Sequence, residues 1–294
     1  MIIDMHTHTF PQNIAAKALS SLAKAENLTP FTDGTMAGLM ESMKRAGVDK
    51  SILLPVATKP SQSKVMNELA KACNDASHRT GLISFGAIHP DNALDGCEDY
   101  KELLREVKEA EIKGIKLHPV FQNTYFDDIR YKRIVEYACE LDLVINVHAG
   151  FDISFREMDT AAPKHLLGLL REIKPSKMIL AHMGCWREWD QAEEVVEEIV
   201  AGDYGDIYMD TAFVLSGDGS NTFFDLDIPA MQADQLIPMI RKIGVDRVMF
   251  GTDSPWTGQK ESIEALKKCV GPGGLTQEEL ALILGGNAVA LLGL

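Results

Sequence analysis

Two periods of hydrophobicity alternate along this chain. Short aliphatic runs recur at 2–8 (IIDMHTH), 48–56 (VDKSILLPV), 82–90 (LISFGAIHP), 112–119 (IKGIKLHP), 143–150 (LVINVHAG), 177–184 (KMILAHMG), 206–214 (DIYMDTAFV) and 247–256 (RVMFGTDSPW). Between several of them apolar residues fall at helical spacing: Met36, Leu39, Met40 and Met43; Leu103, Leu104 and Val107; Ile134, Val135 and Ala138; Val195, Val196 and Ile199. Strand alternating with helix predicts parallel strands joined by right-handed crossovers. Eight such units, each strand apolar enough to be buried on both faces, predict an α/β fold with a single (β/α)8 TIM barrel spanning residues 1–294. Near the C-terminus, Thr276-Gln277-Glu278-Glu279 has the form of a capping box, and a short helix is expected after Gly285-Gly286-Asn287.

Composition narrows the class of protein. With 294 residues, 46% hydrophobic and 24% charged, the chain can bury a large core, and no run of eighteen apolar residues suggests a membrane span. A formal net charge of −14 with no compensating basic run argues against nucleic acid as a partner. Five scattered cysteines (Cys73, Cys97, Cys139, Cys185 and Cys269), without a CxxC spacing, argue against a disulfide framework and a thiolate zinc site. No basic segment precedes the first apolar run as a signal peptide would require, so a cytoplasmic location is expected.

A barrel carries its chemistry at the C-terminal ends of its strands. The first run ends in His6 and His8, the third in His89, the fourth in Lys116 and His118, the fifth in His148, the sixth in His182 and the eighth in Asp253. Six of the eight histidines therefore lie at strand ends, leaving His78 and His165 in helical segments. Residues two apart on a strand share a face and sit about 7 Å apart along it, so His6 and His8 project together. Backbone carbonyls satisfy a lone His-x-His as readily as a metal does. It is the set that points to a metal: His6, His8, His148 and Asp253 offer the mixed N/O ligands of one divalent ion, zinc foremost, with manganese or iron as alternatives. His182 is a candidate catalytic group, as is Asp253 beside its ligand role. Lys116, His118, His89 and Trp256 are further candidates, and Asp4, in register with His6, is expected to orient backbone or a ligand's partner.

These stretches resemble the amidohydrolase superfamily, and within it the amidohydrolase-2 group that includes aminocarboxymuconate-semialdehyde decarboxylase-like proteins. The matching segments are IIDMHTHTFP (2–11), GIKLHP (114–119), VINVHAG (144–150), ILAHMG (179–184), FGTDSPW (250–256) and GGNAVALLGL (285–294). The resemblance implies that His6, His8, His148 and Asp253 hold one divalent metal and that His182 acts on the water it activates. Relatives with two metals use a carboxylated lysine on strand four. Lys116 lies on that strand but outside the sequence context of a bridging carbamate.

The expected activity is metal-dependent hydrolysis of a small carboxylated or cyclic molecule, with no organic cofactor. The alternative on the same ligands is non-oxidative decarboxylation of an aromatic or muconate-like acid. Trp256, Phe121, Phe151, Phe213, Trp186 and Arg187 follow strand ends, where they line the pocket or pack beneath it. Cys185 has no neighbouring base and is expected to pack. Phe223 and Phe224 would serve either a contact between two copies in a homodimer or a lid.

Overall fold

A computed structural model of the chain describes residues 1–26, 28–155, 157–216, 223 and 229–294. The strands are β1 (Ile3–Thr7), β2 (Lys50–Leu53), β3 (Leu82–Ser84), β4 (Gly86–Ala87), β5 (Gly114–Leu117), β6 (Val144–Val147), β7 (Met178–Leu180), β8 (Ile207–Asp210) and β9 (Val248–Met249). The longer helices are α1 (Ala15–Glu26), α2 (Met36–Ala46), α3 (Gln62–Asp75), α5 (Asp99–Glu109), α6 (Ile129–Glu140), α7 (Pro163–Glu172), α8 (Trp189–Ala201), α9 (Ala233–Ile243) and α10 (Gln259–Lys268). Three short ones are α4 (Ser77–Thr80), α11 (Gln277–Ala281) and α12 (Asn287–Leu292). Each of the eight runs read from the sequence contains a strand, and every strand pairing described is parallel. Among the described residues no helix is long and apolar enough to cross a membrane.

The third run departs from the expectation of one continuous strand. It breaks at Phe85 because two asparagines of α3 take over its backbone groups. Asn74 brackets Ser84, accepting from its N–H at 2.7 Å and donating to its carbonyl at 3.0 Å, while Asn67 accepts from the Ala87 N–H at 2.8 Å.

Contacts divide the chain into two compact units. The first comprises Met1–Leu53 and Asp210–Leu294. Its sheet joins β1 to β2, and on the other side of β1 the backbone bonds to the segment after β9: the Met5 N–H donates to the Phe250 carbonyl, the Asp253 N–H to His6 and the His8 N–H to Ser254, at 2.7–2.8 Å. Thr276 and Glu279 form the expected capping box at the start of α11. In α2, Leu39 and Met43 are buried, whereas Met36 and Met40 of the expected stripe are exposed, so that only part of the stripe is packed.

The second unit is Leu54–Met209, with β4, β5, β6, β7 and the first three residues of β8 in parallel succession. Its helices bury the expected faces: Leu103, Leu104 and Val107 on α5; Ile134, Val135 and Ala138 on α6; Val195, Val196 and Ile199 on α8. Amphipathic periodicity is thus read out directly as packing.

Candidate metal centre

In the first unit the site is built on β1. Ile3, Met5 and Thr7 turn one way while Asp4, His6 and His8 share the other face. His6 Nε2 lies 3.2 Å from His8 Nε2 and 3.5 Å from Asp253 Oδ1, and His8 Nε2 is 3.1 Å from the same oxygen. Ligands held tetrahedrally at zinc distances are about 3.3 Å from one another. The three donor atoms therefore already outline one face of such a polyhedron. His6 is 1% exposed, His8 20% and Asp253 14%, so this face is approached from the side of His8 and Asp253.

The backbone holds this arrangement. Asp253 has φ +66, a left-handed conformation uncommon for a residue with a side chain. Gly251 permits the approach to β1, since a Cβ there would lie 2.9 Å from His6 Cβ. Asp4, fully buried, accepts from the N–H groups of His6 and Thr252, the Thr252 hydroxyl and the Gln259 amide. Burial pushes its carboxyl up to about 7 against the lowering effect of these bonds. This is the orienting role expected of it. Behind His6, the Asp210 carboxylate lies 2.9 Å from Nδ1.

In the second unit, strand register arranges the polar groups. Lys116 of β5 pairs with Asn146 of β6, so the residues two further on, His118 and His148, fall beside each other. Their rings stack at 4.2 Å with an 8° interplanar angle. Lys116 is buried and its ammonium donates to Asn146 Oδ1 at 2.7 Å.

His148 Nε2 bonds to the Phe151 carbonyl at 3.0 Å, which puts the proton on Nε2 and leaves Nδ1 as the lone-pair atom. His148 Nδ1 is 3.2 Å from His182 Nε2. His182 has φ +56 in the turn after β7, a second left-handed backbone at a candidate site residue. Asp152 Oδ2 stands 3.8 Å from His118 Nε2 and 4.0 Å from His148 Nε2, so these three could come together around a cation. One ion, however, cannot lie in the planes of two stacked parallel rings, and the present arrangement is not a formed site.

Other candidates have different fates. His89 Nδ1 accepts from the Asp91 N–H at 3.1 Å, capping the turn Pro90–Ala93, and burial pushes its pKa down. Trp256, half-buried, sits in the turn where its N–H donates to the Asp253 carbonyl. Phe121 meets His118 edge-on at 4.6 Å. The Cys185 thiol is pushed up to about 12 by burial, as a packing residue would be, and all five cysteines are free thiols. Phe223 is 3% exposed and its ring packs on Phe213 at 4.6 Å. Phe224 lies outside the described residues.

The family model described as amidohydrolase matches residues 3–294. The chain belongs to this family. Its members are metal-dependent enzymes, hydrolases or decarboxylases, and this amidohydrolase is an enzyme of that kind. Among curated proteins no sequence matches it. Solved structures match over nearly the whole length. The TIM-barrel protein Bb4693 of Bordetella bronchiseptica has a TM-score of 0.70 at 17% identity, covering 99% of this chain and 98% of that one. A variant of 5-carboxyvanillate decarboxylase LigW2 from Novosphingobium aromaticivorans, with bound manganese, scores 0.64 at 14% identity over 100% and 97%. A probable 2-pyrone-4,6-dicarboxylic acid hydrolase from Acinetobacter baumannii scores 0.62 at 17% identity over 100% and 99%. At these identities the likeness shows the fold, the (β/α)8 barrel.

Reading strand ends for histidine passed over three residues of the amidohydrolase. Asp210 lies within the seventh run and closes β8, a polar residue interrupting the run that could have signalled it. Asn146 is the polar interruption in VINV, directly across from Lys116. Asp152 follows β6 in a loop, and no periodicity marks it.

Proposed function

We propose that this amidohydrolase holds one divalent ion, zinc foremost with manganese or iron as alternatives, and hydrolyses a C–N or C–O bond of a small carboxylated or cyclic molecule. The observation that carries the reading is the triangle of His6 Nε2, His8 Nε2 and Asp253 Oδ1, with separations of 3.1–3.5 Å. These two imidazoles and the carboxylate are the ligands, and His148 is read as a further ligand from its strand-end position in the sequence alone. One ion suffices in this reading, because Lys116 lies outside the sequence context of a bridging carbamate.

A divalent ion so held supplies Lewis acidity, lowering the pKa of a water and polarising a substrate carbonyl. His182 takes up and returns the proton at Nε2, imidazole being the side chain suited to that task near neutral pH. Asp253 serves as ligand and as proton acceptor on the path to the leaving group. The half-buried Trp256, in the turn after Asp253, contributes an apolar wall for a small ring compound. Residues 1–294 act as one catalytic domain requiring no organic cofactor.

A second reading, non-oxidative decarboxylation of an aromatic or muconate-like acid, is favoured by the decarboxylases that predominate among the structural relatives. In it His182 delivers its proton to the substrate carbon that loses CO2. The test is a panel of carboxylated aromatics, lactones and small amides, assayed with zinc- and manganese-loaded protein in labelled water. Oxygen-18 entering the product supports hydrolysis. CO2 release with deuterium at the vacated carbon supports the lyase, and turnover insensitive to removal of metal would sink both.

A further inference from the structure

We propose that Asp210 is a positioning residue for the metal centre, acting through His6. The inference rests on His6 being a ligand and assigns the group that prepares it. Asp210 is fully buried at the end of β8, with Oδ2 2.9 Å from His6 Nδ1 and Oδ1 accepting from the Ala212 N–H at 3.1 Å. Each carboxylate oxygen thus has its own anchor, and the group cannot turn without losing one of them. A carboxylate offers only lone pairs, so the hydrogen between it and His6 belongs to Nδ1. This selects the tautomer in which Nε2 carries the lone pair, and it aims that lone pair toward His8 Nε2 and Asp253 Oδ1, 3.2 and 3.5 Å away.

Burial makes the selection depend on this one residue. His6 is 1% exposed, so water does not readily replace a lost partner at Nδ1. On the other side Gly251 brings backbone against the His6 Cβ, fixing the stem of the side chain while Asp210 fixes the rotation of the ring. A negative partner also makes the imidazole a better donor to a cation, the effect expected of a carboxylate behind a ligating histidine.

The decisive experiment measures zinc affinity by competition with a chromophoric chelator, for wild type, Asp210→Asn, Asp210→Glu and His6→Ala, beside the thermal melting of each metal-free protein. Asp210→Asn is expected to bind zinc about 10–100-fold more weakly. Asp210→Glu, which keeps the charge but moves it by one methylene, is expected to recover only part of the loss. Cobalt-loaded Asp210→Asn should show altered visible absorption. Wild-type affinity in both Asp210 variants, with zinc binding lost in His6→Ala, would overturn the proposal and leave the ligand reading standing. Wild-type affinity in His6→Ala as well would overturn both. A purely structural role, which also overturns the proposal, would lower the metal-free melting temperature and leave the affinity alone. Should Asp210→Asn not fold, the affinity of Asp210→Glu decides.

Discussion

Carboxylates hold His6 and His8 of the first unit, whereas His118, His148 and His182 of the second are held by one another and by the backbone. Asp210 stands behind His6, and Asp253 faces both His6 and His8. In the second unit His118 stacks on His148, His148 bonds to a peptide carbonyl, and the Asp152 carboxylate stays at 3.8–4.0 Å from both. Anionic partners collect positive charge, so the first cluster is organised as a cation receptor before any cation arrives. In the second cluster the buried Lys116 lies two residues from His118, and the imidazoles meet rings and a peptide carbonyl. The difference lies in the partners offered: carboxylates in the first cluster, rings and backbone in the second.

The largest effect should come from breaking the first cluster. The double variant His6→Ala/His8→Ala is expected to reduce metal from about one ion per chain to near zero, read by elemental mass spectrometry, with activity abolished. Retention of a full equivalent would show that the triangle is not the site. Next, Asp4→Ala leaves the donors of Thr252 and Gln259 buried without their acceptor and should cost about 3 kcal/mol in urea unfolding. In the second cluster, Asn146→Ala removes the amide acceptor of a buried ammonium and should cost about 2 kcal/mol by the same measurement, with metal content unchanged. Loss of metal in that variant would erase the distinction between the clusters. The smallest effect concerns Cys185: its thiol, pushed up to about 12, stays protonated at pH 8 and should resist iodoacetamide until the protein unfolds, while the half-exposed Cys97 is alkylated in the native state, as peptide mass spectrometry would show.

Much of this was legible in the sequence because it depends on local periodicity. Strand ends follow from apolar runs, and the two-residue repeat of a strand places His6 with His8 whatever the rest of the chain does. Asp253 and His182 were legible as polar residues closing such runs, although nothing local announced the left-handed backbone that both adopt. Asp210 was harder, because its meaning lies in a partner 204 residues away. His89 shows the reverse case: a histidine ending a strand like the others, turned into a cap by the proline that follows it.

The order of strands and helices, the apolar faces of the helices, the pairing of His6 with His8 and the family itself were determined by the sequence alone, since each is written in spacings of a few residues. Tertiary structure alone decided that Asp210 stands against His6 Nδ1, that Lys116 donates to Asn146, and that His118 and His148 stack. Those outcomes depend on register between strands and on burial, which set distances and remove competing water, and neither quantity is carried by any short stretch of the chain.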